Sequence, residues 1–129
     1  MADIQGTYKL VSSENFGEFL TEIGLDLEDR KLAESAPTLV EIKVEGDEYS
    51  INTIFYKNKE IKFKLGQEFE EKRFNGDTAK TVVTREGNKL IQIKHGDKIV
   101  KKVSEFSGDT MTVTCEVGSV VSTRVFKRQ

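Results

Sequence analysis

The chain has very few of the residues from which covalent or catalytic centres are built. Its 129 residues include one cysteine, one histidine and no tryptophan. A single cysteine, Cys115, cannot form an internal disulfide, which argues against a disulfide-stabilised secreted domain. His95 and Cys115 stand on different predicted strands, with no metal-ligand spacing and no glycine-rich phosphate loop. We therefore expect no metal site, no cofactor and no catalytic residue, with His95 exposed in a hairpin and Cys115 a small buried apolar residue.

Long apolar runs and an excess of one charge are also missing. Residues 1–20 contain no uninterrupted apolar core, so neither a secretory signal nor a membrane span is predicted. Ala2 replaces the glycine needed for myristoylation, and no lipidation motif closes the C-terminus. The 20 basic and 22 acidic residues are interleaved and give a net charge of −2, whereas nucleic-acid binding favours a basic excess on one face. These features predict one cytoplasmic domain over residues 1–129 that binds no nucleic acid.

The region before the only proline, Pro37, has helical spacing after a first strand at 7–11. One set of four apolar residues falls at i, i+3, i+4 and i+7, which places it on one helix face. Its members are Phe16, Phe19, Leu20 and Ile23. Asn15 suits the N-cap of this helix and Gly24 its C-terminal stop. A second helix is expected over 27–35, with Leu32 and Ala33 facing inward.

After Pro37 the apolar residues alternate with polar ones, and glycines recur about every ten residues. This pattern is typical of strands joined by tight turns, and Asn75-Gly76 is the strongest hairpin signal. The predicted strands span 7–11, 40–45, 48–54, 60–65, 69–73, 78–85, 89–95, 98–106, 110–117 and 120–127. Closing the sheet into a barrel buries one face of the sheet and removes its two open edges. The sequence therefore predicts an all-β, ten-stranded antiparallel up-and-down barrel. The helix-turn-helix between strands one and two would then cover one open end as a lid.

Several short motifs, in this order and at these spacings, resemble the intracellular lipid-binding proteins, which include the fatty-acid-binding and cellular retinoid-binding proteins. The opening motif is Gly6, Tyr8 and Leu10 followed by Asn15 and Phe16, and later matches include Lys57-Asn58, Glu60-Ile61, Phe63-Lys64-Leu65-Gly66, Glu68-Phe69, Lys80-Thr81-Val82-Val83, Glu105-Phe106 and Gly108-Asp109. The resemblance covers essentially the full chain. Two departures are Tyr8 in place of the commoner tryptophan and Gly17 in place of an acid. Gly66 aligns with the connection where the fourth and fifth strands of the family separate.

The resemblance implies a flattened barrel around a water-containing cavity, and a non-catalytic carrier that is typically monomeric. The expected ligand is a long-chain fatty acid or a similar amphipathic lipid. A bile-salt or retinoid carrier of the same fold is the alternative. From other classes, a filled-barrel interaction module and an enzyme also remain open at this point.

The last predicted strand carries the expected headgroup contact. Alternation places Ser122, Arg124 and Phe126 on one face, and an arbitrary strand arginine more often points to water. The resemblance instead implies that Arg124 lies inside the cavity, because the carboxylate-binding strand of the family carries an Arg-x-Tyr pattern there. Phe126 lacks the tyrosine hydroxyl of that pattern. Arg124 is therefore expected to orient the ligand headgroup with one donor fewer than usual.

A second arginine that is common in the family is also missing, and Ser104 stands at its position. A small polar residue there is similar to the liver-type and bile-acid-binding branches. Lys102 lies on the same strand face as Ser104, and one hypothesis is that it restores the lost positive charge in the cavity. The competing interpretation is that the Lys102 side chain extends to the surface.

Mapping onto the family also implies cavity walls and a portal, although most of the wall residues would fit an ordinary core equally well. The implied wall residues are Phe16, Val40, Ile42, Ile51, Thr53, Ile61, Phe63, Met111, Val113 and Cys115. The implied portal residues are Phe19, Tyr56 and Phe74. The second helix carries both basic and acidic residues, so its charge does not decide between delivery by transient membrane contact and delivery by diffusion.

Overall fold

The computed structural model describes residues 4–55, 57–72, 78–96 and 98–129 of the chain. The described residues form ten strands and two helices. In chain order these are β1 Gly6–Glu14, α1 Phe16–Glu22, α2 Leu27–Ser35, β2 Leu39–Glu45, β3 Glu48–Ile54, β4 Asn58–Lys64, β5 Phe69–Lys72, β6 Thr78–Glu86, β7 Lys89–His95, β8 Ile99–Ser107, β9 Thr110–Val117 and β10 Val120–Arg128. Both helices lie between the first two strands, as the sequence predicts.

All ten strands belong to one antiparallel sheet with the order β4-β3-β2-β1-β10-β9-β8-β7-β6-β5. Because β1 pairs with β10, the sheet curls into a nearly closed barrel. Within the described residues no backbone ladder joins β4 to β5, so these two strands form the edges of a gap. Gly66 lies in the turn between them with φ +77°, which confirms the predicted position of the break.

Strand ends differ from the predicted ones mainly where the alternation is interrupted. β1 continues to Glu14 rather than ending at Val11 because the pairing with β10 shifts register between Leu10 and Ser12. A bulge of this kind moves the following side chains to the other face and hides the strand from a period-two pattern. The Asn75-Gly76 hairpin signal lies outside the described residues.

The start of α1 corrects one expectation. Asn15 occupies the N-cap position, but its φ of 62° is left-handed and its side chain forms no capping bond. Its Nδ2 instead donates to the carbonyl oxygen of Val121 on β10 at 3.0 Å. Asn15 therefore ties the lid to the barrel rather than capping the helix. At the other end, Gly24 follows the C-cap with φ +89°, as expected for a stop.

In α2 the smaller of the two expected inward residues is the buried one. Ala33 is 1% exposed, whereas Leu32 is 48% exposed, so the prediction for Leu32 is wrong. The short Ala33 side chain suits the contact surface of two closely packed helices. The exposed carboxylate of Glu34 on α2 lies where a Cβ of residue 17 would be, but this flexible side chain could move aside, so the contact does not by itself require Gly17. Neither described helix is long and apolar enough to cross a membrane.

Replacing Asp26 by alanine should destabilise the lid. The Asp26 carboxylate caps α2 by accepting the Asp29 N–H at 2.8 Å, and loss of such a cap costs about 1 kcal/mol. Urea unfolding of the delipidated protein measures the change in the free energy of unfolding. Glu28→Ala in the same turn is the control, since Glu28 forms no capping bond and should cost less. Equal losses for the two variants would contradict the capping role.

Candidate functional site

The interior of the barrel is hollow. The space open to the centres of water-sized molecules is about 170 Å³, whereas a single water needs roughly 10 to 15 Å³ on that measure. Aliphatic and aromatic side chains form most of the wall, and α1 closes one end. This cavity argues against a barrel filled by its own side chains.

The strands that surround the cavity present several of the residues predicted from the sequence. Those in the lining are Arg124, Phe126, Ser104, Lys102, Phe16, Val40, Ile42, Ile51, Thr53, Ile61, Met111, Val113 and Cys115. Lys102 therefore faces the cavity rather than the outer surface, and it is half-buried. The Cys115 thiol is buried, and burial raises its pKa above the ordinary value. His95 is exposed, as expected.

Phe63, which was implied as a wall residue, and Ser122, which shares the face of Arg124, do not line the cavity. Phe63 is 4% exposed and stacks between Tyr49 and Phe69, with ring centroids 5.6 Å from each. It belongs to the packed core at one end of the barrel. Ser122 is also buried, and its hydroxyl donates to the carbonyl oxygen of Glu14 at 3.1 Å. Both side chains are buried but are engaged in these contacts rather than in the cavity lining.

The portal residues are described only in part. Phe19 is 7% exposed, lines the cavity and stacks on Phe16 with ring centroids 6.3 Å apart. Tyr56 and Phe74 lie outside the described residues. The portal stays a prediction, and the structure describes Phe19 as part of the inner face of the lid.

Arg124 is the most unusual side chain in the wall. It projects from β10, is 8% exposed and lies with its guanidinium carbon 3.8 Å from the centroid of the Phe16 ring. Its Nη2 donates a long hydrogen bond of 3.5 Å to the Thr38 hydroxyl, and its buried Nε has no hydrogen-bond partner in the part of the chain that the structure describes. Burial lowers the pKa of Arg124 to about 10. Among the described residues no carboxylate forms an ion pair with it, so the site holds a cation without its counterion.

A second polar cluster, which the sequence analysis missed, lies on the opposite part of the wall. The Glu71 carboxylate is 3% exposed and forms ion pairs with Lys59 at 2.6 Å and Lys94 at 3.0 Å. Its other oxygen accepts from the Gln92 amide at 2.7 Å and from the Thr81 hydroxyl at 3.4 Å. The cluster therefore links β4, β5, β6 and β7 by side chains, across the gap where β4 and β5 have no ladder.

The charges within this cluster perturb one another strongly. Burial alone raises the pKa of Glu71, but the charges of Lys94 and Lys59 and their hydrogen bonds lower it to about 2. Burial lowers the pKa of Lys59 to about 8, and repulsion from Lys94 and Lys102 adds to this effect against the attraction of Glu71. Glu71 therefore stays ionised at neutral pH and serves as the counterion of the cluster.

A signal for this cluster exists in the sequence. Lys59 shares its strand face with Ile61 by period-two alternation, and Glu71 shares its face with Phe69. Since Ile61 is predicted to face the cavity, the same alternation predicts that the Lys59 side chain also faces it. The described residues contain no group of three or more His, Cys, Asp or Glu side chains that could hold a metal ion.

The chain is similar to proteins of one family along its length. Residues 5–129 match the family described as "Lipocalin / cytosolic fatty-acid binding protein family". A fatty acid-binding protein of Tyrophagus putrescentiae is 51% identical over 131 residues, covering 100% of both chains. A fatty acid-binding protein from brain tissue of Drosophila melanogaster superposes with a TM-score of 0.91 at 41% identity, covering 94% of this chain and 95% of the other. A Schistosoma mansoni fatty acid-binding protein in complex with arachidonic acid gives 0.95 at 32% identity, covering 100% and 98%.

Proposed function

Because the chain belongs to the lipocalin and cytosolic fatty-acid-binding protein family, and is a carrier rather than an enzyme, we propose that it binds a long-chain fatty acid with the carboxylate at Arg124. Membership of this family confirms the resemblance drawn from the sequence motifs. The observation that carries the headgroup position is the buried Arg124 guanidinium, which lacks a carboxylate partner among the described residues. The Schistosoma mansoni relative, solved with arachidonic acid, supports the class of ligand.

The acyl chain supplies most of the affinity in this proposal. Burying about sixteen carbons at roughly 0.8 kcal/mol per methylene gives on the order of 12 kcal/mol before the costs of ordering and association. A charge-assisted hydrogen bond from Arg124 adds only about 1.5 to 3 kcal/mol. Arg124 therefore mainly sets which end of the lipid lies at β10, while the apolar wall holds the chain.

The headgroup contacts beside Arg124 are few. Thr38 lies in the cavity lining next to the guanidinium, but its hydroxyl already donates to the carbonyl oxygen of Ala36 at 3.3 Å. Phe126 offers only apolar contact in place of the tyrosine hydroxyl of the family pattern. Ser104 faces the same space from β8. This weak set of neutral donors favours a tolerant headgroup site, so bile salts and retinoids remain alternative ligands.

In this proposal the carrier is a cytosolic monomer, and its helical lid contacts membranes transiently during delivery. Leu27 and Leu32 on α2 are 56% and 48% exposed and are the apolar side chains that such a contact would bury. The same helix carries three acidic residues, Glu28, Asp29 and Glu34, against two basic ones, Arg30 and Lys31, so anionic lipids are not strongly attracted. We expect this contact to be weak.

Titration of the delipidated protein with a fluorescent long-chain fatty acid tests the proposed function. The expected result is saturable uptake with close to one ligand per chain, followed by displacement with oleate. A competition series with oleate, a retinoid and a bile salt then ranks the ligand classes. Absence of stoichiometric uptake would exclude the carrier, and displacement by bile salt or retinoid in preference to oleate would move the assignment to that class.

A further inference from the structure

The lysine cluster, formed by Lys59, Lys94 and Lys102, is a part of the cavity wall that has no role in the proposed contact between a carboxylate and Arg124. Among the described lining residues, three ammonium groups, those of Lys59, Lys94 and Lys102, accompany the single carboxylate of Glu71. Glu71 is already bonded to two of them and to Gln92. Positive charge that is removed from water without a counterion is costly. The wall opposite Arg124 is thus suited to an additional negative charge.

Lys102 is the member of the cluster that is available to a ligand. It is half-buried in the lining, and within the described residues it has no ion pair and no hydrogen bond. It pairs with Gln92 in the β7–β8 ladder and with Cys115 in the β8–β9 ladder. Side chains that pair in this way lie about 5 Å apart on one face. The Lys102 side chain therefore leaves the sheet next to Gln92, whose amide bonds to Glu71, and lines the open space.

The lysine cluster is distant from Arg124 within the sheet. Arg124 pairs with Val113, which pairs with Ser104, so Lys102 is two strands and two residues away. With strands about 4.8 Å apart and a rise of about 3.3 Å per residue, this separation is about 12 Å along the sheet. On the same basis Lys94 is three strands and four residues away, about 20 Å. Arg124 and this cluster therefore project from separate parts of the wall, which the two ends of one long lipid can reach.

We propose that Lys102, with Lys94 and Lys59, forms a second anionic subsite that receives the far carboxylate of a lipid whose first carboxylate lies at Arg124. The inference rests on the proposed function and names its substrate class, which is long-chain dicarboxylic acids. Glu71 holds Lys59 and Lys94 in place, and Lys102 provides the charge-assisted hydrogen bond. A simple fatty acid with a methyl end leaves this subsite to water.

Calorimetric titration with hexadecanedioic acid and palmitic acid tests the proposal. The delipidated wild-type protein should bind the diacid at least as tightly as the monoacid. Lys102→Met should weaken diacid binding about tenfold, the effect of losing one charge-assisted hydrogen bond, and should change palmitate binding less than about twofold. Lys101→Met is the matched control, because Lys101 is the neighbouring lysine on β8 and points to solvent. Lys102→Arg should preserve diacid binding by retaining the charge.

The outcomes separate this inference from the function on which it rests. If the wild-type protein binds neither acid, the carrier itself is excluded. If it binds palmitate but binds the diacid more weakly, or if Lys102→Met and Lys101→Met alter diacid binding equally, the second subsite is excluded and the carrier remains. An equal loss for both acids in Lys102→Met would also overturn the inference, because Lys102 would then serve the first carboxylate. Thermal unfolding of each empty variant verifies that it is folded.

Discussion

Replacing Arg124 by methionine should weaken fatty acid binding and at the same time stabilise the empty protein. The binding loss is expected to be about tenfold to hundredfold, the equivalent of one charge-assisted hydrogen bond to the ligand carboxylate. The gain in stability is expected to be roughly 1 to 4 kcal/mol, because a buried cation without a counterion is replaced by an apolar side chain of similar length. Oleate titration and urea unfolding of the delipidated protein measure the two effects.

Lys127→Met provides the matched control for this variant. Lys127 lies on the same strand, but its side chain is exposed, so neither affinity nor stability should change appreciably. If Arg124→Met bound oleate with wild-type affinity, the proposed contact between Arg124 and the ligand carboxylate would be excluded. A lower stability of the empty variant would instead mean that the packing of the guanidinium on Phe16 outweighs the cost of its burial.

The second large effect is expected at Glu71, where replacement by glutamine should destabilise the protein by about 3 to 5 kcal/mol. Glutamine retains the size of the side chain and can still bond to Gln92, but it removes the only carboxylate that faces the described lysines of the cavity. Glu70→Gln is the control, since the adjacent Glu70 is exposed. Similar urea midpoints for the two variants would show that the cluster contributes little to folding.

The contribution of Glu71 should also depend on pH in a defined direction. The pKa of its carboxyl group is about 2 in the folded protein, against an ordinary value of 4.5. A folded-state pKa below that of the unfolded chain gives stabilisation that is complete above pH 4.5 and is lost as the pH falls toward 2. The difference in stability between wild type and Glu71→Gln should therefore shrink over this range. A difference that stays constant would contradict the ion-paired state.

The pattern of apolar residues and turn signals in the sequence is sufficient to predict the fold. It gives both ends correctly for the strands at 48–54, 89–95 and 110–117 and for the helix at 27–35. Prediction failed where the local pattern does not carry the information. The bulge between Leu10 and Ser12 interrupts the alternation of β1, and the depth at which α2 sits on α1 decides which of Leu32 and Ala33 is buried. Those features depend on partners that are distant in sequence.

The site was predictable on the side of Arg124 and not on the side of Glu71. Family resemblance supplied the inward direction of Arg124, against the general preference of charged strand residues for water. The same preference gave no reason to expect Lys59, Glu71 and Lys94 inside the barrel, although their parity matches neighbouring apolar residues. Moreover, no ladder fixes the register of β4 against β5 in the described residues, so only the folded chain reveals that Lys59 and Glu71 meet.

The gap in the barrel leaves β4 and β5 as two open sheet edges, and such edges are templates for pairing with another chain. Both strands are dense in charge: four of the seven residues of β4 and three of the four residues of β5 are Lys or Glu. Charged side chains oppose the docking of a further strand and the growth of a continuous intermolecular sheet. The charge of these two strands is therefore expected to protect the molecule against self-association into aggregates.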